Sequence, residues 1–329
     1  MKIKQPQLLN LRASYTIKSI GNMSQCMALA MLGLICAVPV KANVADFEVP
    51  QKPPTQKRLL AHSTKSAVVR IVNGCQGKAY LPRNGKTYNL TSIGYGSGYF
   101  VTSNGYIVTN AHVTQLSQNQ AECMQLLFQD FVKQVYQDYV SVDLNTLKTM
   151  VKRSQLLTYT PIQQVLLQNG KALPFEQIVS GAPNAIGKDV AIIKIDVKNV
   201  PILKLANSRS VQLLDRITVI GYPAAADSTT RLSDDSFHVP SITDGAVSAM
   251  KTTRDGEPVI QTSASVTHGN SGGPAVNEQG EVIGIVAFRG DTVNNQEVQG
   301  FSFVIPSNTI REFIKLAGIQ ADKEEISQK

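Results

Sequence analysis

Short runs of β-branched and aromatic residues, separated by Gly, Pro, Asn and Asp, dominate the order of apolar and polar positions in this chain. Two of these runs flank Asn104-Gly105, a dipeptide that favours a tight hairpin turn. Many short strands at this spacing predict an all-β architecture, either a barrel or a sandwich. The predicted strands are 67–72, 94–102, 106–110, 163–168, 171–179, 190–195, 217–221, 245–250, 259–262, 282–288 and 300–305.

A helical pattern interrupts the strands in the region 117–160. Apolar side chains recur there at helical spacing over 124–139 and again from residue 144, until Pro161 prevents further helix. We interpret this region as a helical insertion whose apolar stripe packs on the parent domain. A stripe of this kind also suits a membrane or a partner protein, and that alternative stays open.

The first 42 residues resemble a secretory signal peptide. Basic residues precede the apolar run 27–40, and Ala42 offers a small residue for cleavage. The apolar run is short for a membrane span, which needs about 20 residues. We therefore expect cleavage, periplasmic or secreted location and no stable membrane span, with an uncleaved anchor as the alternative. The segment 43–65 contains three prolines and predicts an extended, mobile leader.

The charge of the chain does not support nucleic-acid binding. The sequence holds 32 Lys and Arg against 24 Asp and Glu, a formal net charge of +8. Five of the basic residues and no acidic residue fall within 1–42, which leaves +3 for the rest of the chain. No basic cluster interleaved with aromatic residues occurs in that rest. We expect no nucleic-acid partner.

Removal of the signal peptide would leave two of the four cysteines, Cys75 and Cys123. In an exported protein such a pair can form one disulfide, because the compartment permits oxidation. Two separate buried thiols are the alternative. The sequence does not report the separation of the two Cα atoms, which decides whether a bridge can form.

A serine flanked by glycines stands in 267–274, which reads Thr-His-Gly-Asn-Ser-Gly-Gly-Pro. Glycine weakens helices and strands, so this stretch predicts a tight loop in which backbone N–H groups lie beside the hydroxyl of Ser271. Acyl transfer at a serine needs an accessible Oγ, nearby amide donors and a base. The loop therefore predicts a nucleophile, if the chain also supplies a histidine and a carboxylate.

Among the four histidines, His112 is the best candidate for that base, because it is predicted to end a strand, where an imidazole can be held facing a cleft. His62 lies in the leader and His238 in a polar loop, where solvated side chains are expected. His268 precedes the serine too closely and is expected at the rim of the site. Asp189 lies at the edge of the predicted strand 190–195 and supplies a carboxylate.

Three motifs resemble those of trypsin-like serine proteases, in the same His, Asp, Ser order: 109–113 (Thr-Asn-Ala-His-Val), 189–193 (Asp-Val-Ala-Ile-Ile) and 269–274 (Gly-Asn-Ser-Gly-Gly-Pro). Their flanks resemble the HtrA/Deg branch. These flanks are 96–100, 167–171, 220–223, 245–249 and 303–307. The resemblance implies a chymotrypsin-like fold of two packed six-stranded antiparallel β-barrels, with the helical insertion in the first barrel and a short C-terminal helix.

The resemblance covers a protease domain at 66–317 and implies its subdivision. The N-terminal barrel would span 66–197, the C-terminal barrel 203–306 and the terminal helix 307–317, followed by a polar tail at 318–329. Only 11 residues follow Gly318, so the PDZ module common in HtrA proteins is not expected. A homo-oligomer such as a trimer, frequent in the family, is a prediction from the resemblance alone.

The resemblance also implies the role of each site residue. Ser271 would be the nucleophile, His112 the general base and Asp189 the group that orients the imidazole. The N–H groups of Gly269 and Ser271 would form the oxyanion hole. No metal and no cofactor is expected. Asn270 stands where digestive relatives carry an aspartate that pairs with a new N-terminal amine, so control by loop ordering is expected rather than activation by cleavage.

The predicted substrate pocket is uncharged. Ser265 and Val266 precede the serine loop, and Ala287 and Phe288 belong to the strand expected to form the pocket wall. No carboxylate occurs where trypsin-like relatives place one, which disfavours a preference for Arg or Lys and favours a small or aliphatic residue. Arg289 at the rim could attract an acidic side chain instead.

Together these features predict an exported serine endopeptidase that acts on unfolded or damaged polypeptides. One alternative is a protease-like binding or chaperone module whose oxyanion loop is inactive. Another is a specific processing protease of the glutamyl-endopeptidase type, which shares the chemistry and differs in the pocket.

Overall fold

The computed structural model describes residues 55–139, 143–182, 188–224, 232–289, 292–293, 296–297 and 302–320. The helices within these ranges are α1 (Gln56–Lys65), α2 (Ala111–Gln118), α3 (Gln120–Asp138), α4 (Leu144–Lys152) and α5 (Ser307–Leu316). The strands are β1 (Val68–Leu81), β2 (Lys86–Phe100), β3 (Tyr106–Thr109), β4 (Gln155–Leu166), β5 (Ala172–Pro174), β6 (Glu176–Ser180), β7 (Ala191–Lys194), β8 (Arg216–Gly221), β9 (Ser241–Thr252), β10 (Pro258–Thr262), β11 (Pro274–Val276), β12 (Val282–Arg289), β13 (Thr292–Val293), β14 (Gln296–Glu297) and β15 (Ser302–Pro306).

The first half of the fold is an antiparallel sheet with the strand order β5-β4-β1-β2-β3-β7-β6. Its two edge strands, β5 and β6, are separated only by Phe175. Because Pro174 and Glu176 lie no more than about 7 Å apart along the chain, the two edges of the sheet meet and the sheet curls into a barrel. The single strand predicted at 171–179 is therefore two short strands that turn at the buried Phe175.

The second half is a closed six-stranded barrel with the order β10-β15-β12-β11-β8-β9, and β13 pairs with β14 as a separate hairpin. The predicted all-β fold of two barrels is thus confirmed. One hydrophobic cluster contains residues of both barrels and of α5, among them Val68, Tyr99 and Ile192 from the first barrel and Ile220 and Ile285 from the second. The barrels are held together by a continuous apolar core.

The β1–β2 hairpin is longer than the sequence pattern predicts. The strands expected at 67–72 and 94–102 extend to Leu81 and back from Lys86. The added part contains glycines and polar residues, which weaken the local strand signal. It is stabilised by the insertion instead, because Leu127 and Phe131 of α3 pack in one cluster with Tyr88 and Leu90 of β2.

Helix α3 of the insertion presents a single apolar stripe to this hairpin. Its buried residues recur every four positions, as one helix face requires, and they are Cys123, Leu127, Phe131 and Val135. Cys123 forms a disulfide with Cys75 of β1, with the two Cα atoms 6.1 Å apart. Both cysteines are fully buried. The insertion is therefore attached to the first barrel by packing and by a covalent bond.

An ion pair ties the C-terminal end of α3 to the tip of the hairpin. Asp138 accepts hydrogen bonds from Lys86 Nζ at 2.6 Å and from the Tyr88 hydroxyl at 2.8 Å. These bonds, the one from Lys86 first, lower the pKa of the Asp138 carboxyl below its usual value. The pair is exposed, so its contribution to stability is small beside that of the buried stripe.

The expectation of an extended leader is wrong for its last ten residues, which form α1. Leu, Lys, Arg, Gln and Ala predominate there, and these residues favour a helix once the prolines have passed. The helix packs on the second barrel, since a Cβ added at Gly280 would lie 2.5 Å from the side chain of Leu60. The predicted signal peptide 1–42 and the remaining leader, 43–54, lie outside the described residues.

In the part of the chain that the structure describes, no helix is both long and apolar enough to cross a membrane.

Replacing both cysteines, as Cys75→Ala with Cys123→Ala, is expected to lower the free energy of unfolding by about 2–4 kcal/mol, because the bridge closes a long chain segment. The two cysteines are 48 residues apart. Urea denaturation of both proteins, with and without dithiothreitol, provides the measurement. The reductant should destabilise the wild type and leave the double variant unchanged. Equal midpoints for oxidised wild type and double variant would contradict the prediction.

Candidate active site

His112 and Asp189 meet at one corner of the first barrel because their strands are neighbours. β3 pairs with β7, with Thr109 opposite Ala191. His112 lies in the first turn of α2, just after β3, and Asp189 lies two residues before β7. The end of one strand and the start of the other thus place both side chains together, as the sequence led us to expect, although His112 begins a helix rather than ending a strand.

The Asp189 carboxylate holds His112 through two bonds. One oxygen accepts the backbone N–H of His112 at 2.8 Å, and the other lies 2.5 Å from the ring Nδ1. The carboxylate side chain is 6% exposed and that of His112 28%. With Nδ1–H donating to the carboxylate, the Nε2 atom carries the lone pair and is the basic atom of the ring.

Asn110 supports the His112–Asp189 pair through the main chain of Asp189. The sequence analysis did not predict this role. It is fully buried, and its Nδ2 donates to the main-chain carbonyl of Asp189 at 2.6 Å. Its Oδ1 has no hydrogen-bond partner among the described residues. Its position in the sequence could have indicated this role, because Asn110 is a polar residue between an apolar strand and the candidate histidine. A buried amide at such a position normally has a hydrogen-bond partner.

The serine loop, residues 267–273, is built from consecutive tight turns. Asn270 N–H donates to Thr267 O at 3.1 Å, and Gly273 N–H donates to Asn270 O at 2.9 Å. Gly269 and Gly272 have φ values of +92° and +87°, a region that glycine adopts without steric cost. Ser271 is partly exposed between them. The glycines therefore form the loop that the sequence predicted.

Two N–H groups of this loop are free to bind an anion. His268 O accepts a hydrogen bond from Ala224 N–H at 2.7 Å, and because a trans peptide is planar, the N–H of Gly269 points away from Ala224. Within the described ranges, neither Gly269 N–H nor Ser271 N–H has an intramolecular acceptor. Such a pair of donors beside a serine hydroxyl is the arrangement that stabilises an oxyanion.

The serine loop and the histidine corner come together at Gly96–Ser97 of β2. Ser97 N–H donates to Ser271 O at 2.8 Å. A Cβ at Gly96 would lie 2.5 Å from the side chain of Val113 and 3.2 Å from Ser271 O, so glycine allows both to approach. The Ser271 hydroxyl lies 3.5 Å from Ala287 O, and no hydrogen bond joins it to His112 in the described part of the chain.

The predicted pocket residues are distributed unevenly around this site. Ala287 is buried, and its carbonyl faces the Ser271 hydroxyl. Val266 packs in the core of the second barrel, and Ser265 is exposed, with its carbonyl bonded to Thr243 Oγ1 at 2.9 Å. The main chain of Phe288 pairs with Phe303 within β12 and β15. The side chains of Phe288 and Arg289 lie outside the described part of the structure.

The other three histidines do not take part in the His112–Asp189 pair. His62 is exposed on α1, His238 lies in a short 3₁₀ turn at Asp234–His238, and His268 is exposed on the serine loop. Across the described ranges, no group of three His, Cys, Asp or Glu side chains has the geometry to hold a metal ion.

Comparison with known proteins identifies a family for this chain. A family model described as "Trypsin-like peptidase domain" matches residues 96–285. The chain is 28% identical over 231 residues to the mitochondrial serine protease HTRA2 of Drosophila willistoni, covering 69% of this chain and 39% of that protein. It is 30% identical over 193 residues to a protein of Halomonas elongata named "Probable periplasmic serine endoprotease DegP-like", covering 58% of this chain and 28% of the relative.

The fold is shared with a solved structure described as the HtrA-type protease AlgW with a decapeptide. The TM-score is 0.50 at 21% identity, over 78% of this chain and 66% of that one. Among the curated relatives named above, the chain spans well under half of their length.

Gly272→Ala is expected to destabilise the protein more than Gly256→Ala, although both residues have φ near +85°. An added Cβ at Gly256 has no neighbour within 4 Å, whereas at Gly272 it would overlap Ser97 O and Thr109 Oγ1. The backbone conformation alone costs about 1–2 kcal/mol, and the overlap adds about 1–3 kcal/mol. Urea unfolding of the two variants measures the difference, and equal losses would refute the overlap.

Proposed function

The chain belongs to the trypsin-like peptidase family, and from this premise we propose that it is a serine endopeptidase that acts through an acyl-enzyme. The observation that carries the proposal is the double hydrogen bond from His112 to the Asp189 carboxylate. A carboxylate held in this way sets the imidazole tautomer and stabilises the imidazolium that forms when His112 takes a proton.

In the proposed mechanism, His112 Nε2 removes the proton of the Ser271 hydroxyl as Oγ attacks the carbonyl carbon of the scissile peptide. The N–H groups of Gly269 and Ser271 bind the oxyanion of the tetrahedral intermediate, where one lost donor typically costs about 2.7–4 kcal/mol of barrier lowering. The imidazolium then gives its proton to the leaving amine. Water attacks the acyl-enzyme by the same route and releases Ser271.

For the substrate and compartment we propose unfolded or damaged polypeptides in the periplasm or outside the cell. The Cys75–Cys123 disulfide supports an oxidising compartment, and the basic and apolar pattern of 1–42 supports export. The name of the Halomonas relative points the same way for that protein. A homo-oligomer, a trimer in particular, stays a prediction.

A second candidate is a binding or chaperone module of protease origin. The Ser271 hydroxyl is 3.5 Å from Ala287 O and is not bonded to His112, which is the specific observation in its favour. Catalytic hydrogen bonds are often long before substrate binds, and the two free N–H groups of the serine loop favour the enzyme.

Ser271→Ala is expected to lower casein hydrolysis by about 10⁴-fold or more, because it removes the nucleophile. The same variant should not react with a fluorophosphonate probe, as judged by intact-protein mass. Ser210→Ala, an exposed serine on another loop, is the matched control and should retain both properties.

An unlabelled wild type that suppresses aggregation of a denatured protein without hydrolysing it would support the binding module and overturn the endopeptidase. Equal hydrolysis by wild type and Ser271→Ala would likewise overturn it.

Cleavage of a peptide library is expected to place small or aliphatic residues before the scissile bond, since no carboxylate belongs to the predicted pocket residues Ser265, Val266, Ala287 and Phe288. Mass spectrometry of the products identifies the cleaved bonds. A dominant glutamate at that position, lost in Arg289→Gln, would support the glutamyl-endopeptidase reading instead.

A further inference from the structure

Ser97 of β2 bonds the first barrel to the serine loop of the second. It is completely buried and carries no charge. Nothing in the chemistry proposed above uses its side chain. Its hydroxyl nevertheless makes two hydrogen bonds, both to main-chain atoms of the second barrel.

The hydroxyl donates to Gly269 O at 2.7 Å and accepts from Tyr222 N–H at 2.9 Å. Its backbone adds two further bonds, because Ser97 N–H donates to Ser271 O at 2.8 Å and Ser97 O accepts from Thr109 Oγ1 at 2.8 Å. Thr109 ends the strand that leads to His112. One residue thus bonds both the serine loop and the strand that carries the base.

The two hydroxyl bonds restrain the backbone that follows Gly269 and the segment that is bonded to the residue before it. The first holds the carbonyl of Gly269 directly. The second holds Tyr222, two residues before Ala224, whose N–H binds the carbonyl of His268. Because peptide units are planar, the bonded carbonyl of His268 sets the direction of the Gly269 N–H. The carbonyl of Gly269 that Ser97 binds sets the next peptide plane, so the two bonds together limit rotation about both backbone torsions of Gly269.

Gly269 needs such external support. It has φ of +92° and no side chain, so its own steric limits do not select one conformation. The direction of the N–H that would bind the oxyanion therefore depends on the bonds that hold the peptide units on both sides of Gly269. Of the turn bonds of the loop, the one from Asn270 N–H restrains the peptide unit that contains the Gly269 carbonyl, and the one from Gly273 N–H lies beyond it.

We propose that the Ser97 hydroxyl is the positioning group of the oxyanion hole, holding the Gly269 N–H towards the scissile carbonyl. The proposal rests on the proposed endopeptidase function. It assigns the side chain of Ser97 to transition-state stabilisation rather than to substrate binding, since its hydroxyl bonds Gly269 O and Tyr222 N–H and, among the described residues, has no hydrogen bond to the Ser271 hydroxyl or to the predicted pocket residues.

The space around Ser97 limits the variants that can test this role. The hydroxyl lies close to the backbone of Gly221, since a Cβ added there would be 2.9 Å from Ser97 Oγ, so the first variant to test is one that adds no atoms. Ser97→Ala removes both hydroxyl bonds without adding volume. Ser97→Cys keeps the branching of the side chain, with a slightly larger atom and a much weaker donor in place of the hydroxyl.

The experiment measures kcat and KM of wild type and Ser97→Ala on a cleavable peptide, and the affinity of both for a peptidyl trifluoromethyl ketone, whose oxyanion occupies the hole. We expect kcat to fall about 10- to 100-fold, as for a reacting group displaced by about 1 Å. KM should change less than about threefold, and ketone affinity should fall in parallel with kcat/KM.

Ser307→Ala is the matched control. Ser307 is also fully buried, and its hydroxyl donates to a main-chain carbonyl, Ala206 O, at 2.7 Å, far along the chain from the serine loop. It should lower the unfolding midpoint and leave kcat and ketone affinity unchanged. A merely structural Ser97 would behave in the same way.

A kcat for Ser97→Ala within about threefold of wild type, after correction for the folded fraction, overturns the proposal, and so does an unchanged ketone affinity. If Ser97→Ala does not fold, Ser97→Cys is measured against the same criteria. An active wild type with an equally active Ser97 variant refutes only this inference. A wild type without hydrolysis or fluorophosphonate labelling refutes the proposed function and this inference with it.

Discussion

The contact between β2 of the first barrel and the serine loop of the second is the constraint on which the candidate site depends. His112 and Asp189 belong to one barrel and Ser271 to the other, so the three come together only if the two barrels keep their relative position. The shared apolar cluster sets the distance between the barrels. The bonds of Ser97 to Gly269 and Ser271 then fix the position of the serine loop relative to β2.

The helical insertion lies on a different part of the first barrel and does not disturb this arrangement. Its core, which contains Cys75, Cys123 and the apolar stripe of α3, shares no residue with the cluster between the barrels. β3 and β7 pair directly across the long sequence gap that the insertion creates. This explains how Asp189 reaches His112 although 77 residues separate them.

Prediction from the sequence succeeded where local signals agree with the fold. Turn residues and strand-like runs predicted an all-β chain, the glycines around Ser271 predicted the tight loop, and the family resemblance implied the two barrels. It failed where neighbours override local preference. The glycine-rich part of β1 is a strand because β2 and β4 pair with it and α3 covers it. The helix at 56–65 was missed for a different reason: the prolines before it led to an extended assignment for a segment whose own residues favour a helix.

The sequence by itself determined which residues are available for the chemistry, their order, and the backbone freedom of the serine loop, because glycine positions and residue types act locally. Tertiary structure decided the rest: the pairing of Cys75 with Cys123, the turn of the first sheet at Phe175, and the support of Asp189 by Asn110. The clearest case is Ser97, whose bond to Gly269 spans 172 residues. A hydrogen bond over that separation depends on how two barrels pack, and no local pattern encodes it.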